Sequence, residues 1–169
     1  MTAIWTTPRT WVTGEVITAA QLNTHVRDNF DYCRQRLDAA RPLVSAVSAA
    51  VHNTASTTFV DIDPGTYVLS ITTGGAPLLI GLAGQWRANT SGVDCCIDVE
   101  LNGTRIGHAG FGLAYMQQPG AGLTQQISFA LVRTAAAGTH SLRLQWRVSS
   151  GTLTFNPIGG SQFYALELR

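Results

Sequence analysis

His140-Ser141-Leu142-Arg143-Leu144-Gln145-Trp146-Arg147-Val148 alternates polar and apolar residues from Ser141 onward. A period of two places Leu142, Leu144, Trp146 and Val148 on one face and Ser141, Arg143, Gln145 and Arg147 on the other, the signature of a strand with one buried face. From Leu43 onward the same period of two holds. Residues 58–62 and 67–72 flank a Pro64-Gly65 turn, and residues 77–86 are apolar with Gly81 and Gly84 marking a buried strand that bends. Val93, Cys95, Ile97, Val99 and Leu101 share one face of the next strand. Asn102-Gly103 follows, a strong two-residue hairpin signal that returns through Thr104, Arg105 and Ile106. Residues 126–133, 152–155 and 162–168 complete the set. Short strands, turns between them and no intervening helical pattern predict a mainly β protein, an antiparallel jelly-roll sandwich.

Before Leu43 the pattern is different. Leu22, Val26, Phe30, Cys33 and Leu37 recur at spacings of four, four, three and four, one stripe of an α-helix over about residues 19–40. Thr18 and Gln21 have the spacing of a capping box, and Ile17 and Leu22 that of a hydrophobic staple. Arg41-Pro42 stops the helix, because the residue before proline is pushed out of helical geometry. Upstream lies a short arm, Trp5-Thr6-Thr7-Pro8-Arg9-Thr10-Trp11, expected to be extended and too short to fold around its own tryptophans. Large rings in such an arm need a partner surface, or else the arm packs on its own domain. The organisation expected is an attachment and trimerisation segment over residues 1–41, an extended arm plus one α-helix, followed by a jelly roll over residues 42–169. Trp5, Pro8, Arg9, Trp11, Ile17, Leu22, Val26 and Phe30 are the candidate anchor residues.

Composition narrows the function classes. A net charge of +1 offers no long-range field for nucleic acid or an anionic membrane. All eleven basic residues are arginine, which excludes Schiff-base lysine chemistry and a lysine-bearing phosphate loop. Charged residues make up only 12% of the chain, so its loops and outer faces must be built largely from small neutral residues. No basic stretch followed by an apolar core opens the sequence, and no apolar run reaches the ~18 residues of a membrane span, so membrane insertion is not expected. Cys95 and Cys96 are adjacent and would point to opposite faces of a strand, so buried free thiols are expected rather than a disulfide.

Catalytic motifs are absent: there is no Gly-x-Ser-x-Gly, no His-Glu-x-x-His and no paired Cys-x-x-Cys. The best acidic candidates are Asp94, Asp98 and Glu100, which alternation places on one strand face with Cys96, roughly 7–14 Å apart. Such a set suits a glycosidase pair or a calcium site, or else a sheet face paired with Arg143 and Arg147 should the two strands be neighbours. His25, His52, His108 and His140 have no metal-ligand spacing, and the formal sequons at Asn89 and Asn102 have no secretory context. No enzyme activity, cofactor or metal is expected. The glycine-rich loop over residues 107–123 carries His108, Phe111, Tyr115 and Met116, a candidate receptor loop on a rigid scaffold or an irregular strand lining a trimer axis.

These residues carry a resemblance. The stretch from Trp5 to Phe30 resembles a leader segment of tail- and virion-associated proteins of double-stranded DNA bacteriophages. The segments VELNGTRIG, GTHSLRLQWRVSSGTLTF and SQFYALELR resemble the trimeric jelly rolls of phage structural proteins related in shape to C1q and tumour necrosis factor. The resemblance implies a homotrimer on a virion, assembled in the host cytoplasm, anchored by its N-terminal region and presenting the jelly roll outward. Its other partners would be tail or capsid subunits and a host surface glycan or protein. A tail-fibre or minor tail protein and a capsid decoration protein both fit, the leader favouring the tail.

Overall fold

The computed structural model describes residues 4–38 and 41–168, with side chains described except at 36–38, so the Leu37 side chain of the expected stripe lies outside what is described. The chain forms two compact units, Met1–Ala40 and Arg41–Arg169.

The second unit is all β. Its strands are β1 (Leu43–Ser48), β2 (His52–Thr54), β3 (Val60–Asp61), β4 (Val68–Gly74), β5 (Leu78–Ala88), β6 (Asp94–Leu101), β7 (Thr104–Arg105), β8 (Ala114–Gln117), β9 (Gln125–Arg133), β10 (Ala137–Val148), β11 (Leu153–Phe155) and β12 (Ser161–Glu167). The pairing is antiparallel and nested: β1 with β12, β4 with β10, β5 with β9, β6 with β8. Nesting of this kind is what a long folded-back hairpin gives when it wraps into two sheets, and it defines a jelly roll. The first sheet runs β1 and β2, then β12 and β11, then β5, then β9. In the second, β3 and β4 lie along one edge of β10, with β6 on its other edge and then β7 and β8.

The core lies between the sheets and follows the alternation. Leu142, Leu144, Trp146 and Val148 of β10 are all buried, facing Ile80 and Leu82 of β5, Phe155 of β11 and Phe163 of β12. Phe155 is the hub, meeting Tyr67 at 5.8 Å and Trp146 at 6.3 Å, both edge-on. Edge contacts of this kind add to the burial term through the ring quadrupoles. Asn102 and Gly103 both have positive φ, 52° and 83°, as a type I′ hairpin turn requires. Asn156, also at positive φ (56°), donates from Nδ2 to the carbonyls of Ser48 and Ala50 at 3.1 and 3.2 Å, pinning the β1–β2 connection.

Three strand expectations need adjustment. Residues 58–62 yield only the two-residue β3, because the Ser56 hydroxyl donates to the Thr58 carbonyl at 2.7 Å and diverts the preceding backbone from the ladder. Strands β1 and β2 form in the small-residue stretch after Pro42, where Val44 and Ala46 turn inward onto the core. The glycine-rich loop contains a further strand, β8, paired to β6.

The first unit departs from one continuous α-helix. Residues Ala19–Leu22 form α1 and Asp28–Asp38 form α2, with a π-helical turn at Asn23–Arg27 between them. The capping box is present in both directions, Thr18 N to Gln21 Oε1 at 2.8 Å and Gln21 N to Thr18 Oγ1 at 3.3 Å. The wide turn lets the His25 carbonyl accept from Asn29 Nδ2 at 3.1 Å.

Candidate functional site

The arm is not free, and this corrects the expectation of an extended peptide ordered only by a foreign surface. Asn29, 7% exposed, accepts from Thr6 N at 2.9 Å and donates to the Thr6 carbonyl at 2.8 Å. That two-way bond lays the arm along α2 and brings the Trp5 ring to 5.7 Å from Tyr32. Trp11 stands edge-on to His25 at 6.3 Å. The Arg9 guanidinium lies 5.3 Å from the Trp11 ring and is ion-paired with Glu15. Both tryptophans therefore have partners within their own unit, though Trp5 stays half-exposed.

What the arm leaves uncovered is the stripe itself. Ile17, Leu22, Val26 and Phe30 are all exposed, Phe30 at 72%. Trp5, Pro8, Val26, Phe30 and Cys33 line an apolar cleft of about 280 Å³. A helix that presents its apolar stripe outward has not buried the surface that would stabilise it.

The two outer faces of the sandwich differ in chemistry. On the first sheet, register aligns Leu43, Leu166, Leu79 and Val132 in one row and Ser45, Tyr164, Gly81 and Ala130 in the next. The third row is Val47, Gln162, Ala83 and Ser128, so three consecutive rows across four strands carry no charge. Leu43, Val47 and Val132 are exposed. On the second sheet, the outer face carries Asp61, Glu100, Arg143 and Gln145, joined by Arg143–Asp61 (3.1 Å), Arg143–Glu100 (3.7 Å) and Gln145 bonds to both carboxylates.

Asp94, Asp98 and Glu100 share that face as expected, but each is committed elsewhere. Glu100 belongs to the Arg143 network. Asp94 accepts from the Tyr115 hydroxyl at 3.0 Å. Asp98, placed on the outer face by alternation, is nevertheless 0% exposed, because residues 107–112 fold over it. Its Oδ1 accepts from Val99 N at 2.8 Å and Gly107 N at 2.9 Å, and its Oδ2 is 3.6 Å from Arg105 Nε. Burial pushes its pKa up, opposed by those two amides and the Arg105 charge. The expected pairing with Arg147 is replaced: Arg147 Nε donates to the Gly110 carbonyl at 3.0 Å. Among the described residues no group of three or more His, Cys, Asp or Glu side chains is arranged to hold a metal. Cys95 and Cys96 are buried free thiols, Cys95 pushed up to about 12 by burial first and then by its acidic neighbours.

The loop over residues 107–112 is clamped from below. Arg105 and Arg147 approach the Phe59 ring at 3.9 and 5.6 Å and bond the Ala109 and Gly110 carbonyls. His108 and Gly112 exchange backbone bonds of 3.0 and 2.8 Å. His108 Nδ1 accepts from the Gly110 and Phe111 amides, which fixes that nitrogen as an acceptor. On this support His108 stacks on Phe111 at 5.2 Å, and Phe111 meets Tyr115 at 4.8 Å. Phe111 and Tyr115 are 45% and 48% exposed. Met116 does not belong with them. It lies opposite Cys95 and packs on the core, since β8 alternates. The sequence signalled the rings but not the arginine clamp, because Phe59 lies over 45 residues upstream of Arg105.

No family model matches the chain, and no curated protein matches it. Solved structures similar in shape include vertex protein P5 of PRD1 (12% identity, 76% of this chain, 97% of that one, TM-score 0.45) and Eiger TNF from S. frugiperda (14%, 76%, 94%, 0.43). A third is infectious bursal disease virus, Gx strain (15% identity, TM-score 0.40), where 76% of this chain matches just over a third, 37%, of the other. Among the described residues no helix is long and apolar enough to cross a membrane.

Proposed function

We propose that the chain is a non-enzymatic bacteriophage virion protein, a homotrimer attached through its N-terminal arm and helix and exposing the jelly roll, as a tail-fibre or minor tail protein. The observation that carries this reading is the contrast between the two outer faces. Three uncharged rows on the first sheet, with exposed Leu43, Val47 and Val132, suit burial against a copy of the chain. The charged network on the second sheet suits water. The number three and the virion come from the resemblance of the leader and strand segments to phage proteins. The exposed Ile17, Leu22, Val26 and Phe30 are the surface offered to a tail subunit. Trp5 and Pro8, packed beside Val26 and Phe30, widen that surface. Committed carboxylates on the second sheet support a binding role over hydrolysis.

The test supplies the full chain, or the chain lacking residues 1–41, to assembling particles. Full-length protein is expected in a few trimers per particle, on tails, and the truncated chain is expected to be missing from particles. Incorporation of the truncated chain overturns the anchor. Hundreds of copies on heads overturn the tail assignment in favour of capsid decoration.

A further inference from the structure

We propose that Phe111 and Tyr115, with Asp94 at their edge, form a stacking site for a neutral hexopyranose of a surface glycan. The inference rests on the reading of the jelly roll as an exposed head and gives that head a ligand class.

Three observations meet here. First, two half-exposed rings lie 4.8 Å apart, with a third, His108, stacked behind Phe111 at 5.2 Å. A sugar's axial C–H bonds carry partial positive charge, which suits the negative face of an aromatic ring. Second, hydrogen-bonding groups sit beside the rings. Asp94 Oδ1 already accepts from the Tyr115 hydroxyl, which leaves Oδ2 for a sugar hydroxyl, and Gln117 lies opposite Asp94 in the β6–β8 register. Third, the platform is set before any ligand arrives, because Asp98, Arg105 and Arg147 bond the backbone of residues 107–110. A preorganised loop loses little entropy on binding.

Charge selects among glycans. The guanidiniums of Arg105 and Arg147 keep their charge while donating to loop carbonyls, and the group beside the rings with an acceptor still open is the Asp94 carboxylate. That carboxylate repels an acidic sugar. A neutral unit remains, whose hydroxyls donate to Asp94 while its apolar face covers a ring.

The experiment uses the full chain and the methyl glycosides of glucose, galactose, mannose and N-acetylglucosamine, observed by saturation-transfer NMR. At least one is expected to receive saturation. Phe111→Ala and Tyr115→Ala should each weaken binding about tenfold, and Asp94→Asn by a smaller factor. Both rings are surface residues, so the variants should keep the parent's melting temperature and solution mass, which the same samples report. Absence of transfer to all four sugars overturns the site, as does transfer unchanged in the ring variants. If the mass stays that of a trimer while sugar binding is absent, this inference fails and the trimer stands. Cell adsorption that is lost in the ring variants yet survives periodate oxidation of surface glycans overturns the site in favour of a protein receptor.

Discussion

A single carboxylate shows how this surface departs from simple alternation. Asp98 has the outward register of Asp94 and Glu100 yet is buried under the loop it holds. Its two accepted amide bonds and the nearby Arg105 offset part of the desolvation, and the net effect is still an upward pKa shift. The sign follows. A group whose folded-state pKa is raised contributes stability that is fully present below the unfolded value, about 3.9 for Asp, and is lost as pH rises through the folded value. Asp98→Asn removes that titration while keeping an oxygen for Val99 N and Gly107 N. Thermal melts of both proteins between pH 4 and 7 should show the parent gaining on the variant as pH falls, since all other groups titrate alike in the two. Parallel curves would remove Asp98 as the source of the pH dependence. The register of Asp98 was legible in the sequence, because period two fixes a face. Its burial was not, because that depends on where a loop nine or more residues away comes to rest.

At the level of elements, the sequence was clearest where one face of a strand is buried, as in β6 and β10, and where the turn chemistry is explicit, as at Asn102-Gly103. It was least clear where backbone bonding is carried by local side chains. The Ser56–Thr58 bond cut β3 short, and Asn29 holds the arm against a π-helical turn that a spacing of four does not foreshadow. The exposure of the anchor stripe was equally illegible, since an apolar spacing reports that a face needs covering and not what covers it. Strand β8 tests how the platform is built. Gly112 sits at φ +70°, and a Cβ there would run into the Ile97 carbonyl. Leu113 N donates to that same carbonyl at 2.8 Å. Gly112→Ala should therefore cost about 1–3 kcal/mol in urea unfolding. It should also raise hydrogen exchange at the Leu113 and Gly107 amides. Unchanged stability and exchange would mean that the loop is not held by this close approach.

For the molecule as a whole, the question is what covers the first sheet. An uncharged face three rows deep is costly to leave in water, and the trimer proposed above would cover it in a closed ring of copies. A ring needs a heterologous contact, one surface of each copy against a different surface of the next, so that the rotation closes. Strand β9 suits this, because it is the edge of the first sheet and carries Ala130 and Val132 outward. Neither side chain contributes to the core, so Ala130→Arg and Val132→Arg leave the fold intact. Each places a charge where a neighbour would have to desolvate it without a partner, a penalty of several kcal/mol repeated at every contact of the ring. Sedimentation of the full chain should therefore give three times the protomer mass for the parent and the protomer mass for the double variant, with the same melting behaviour at the level of the monomer fold. As a control, Ser70→Arg sits on the outer face of the second sheet, beside Ser141, and should leave the mass at three protomers. If the double variant keeps the parent's mass while the control loses it, the copies meet through the second sheet, and its charged network is the interface.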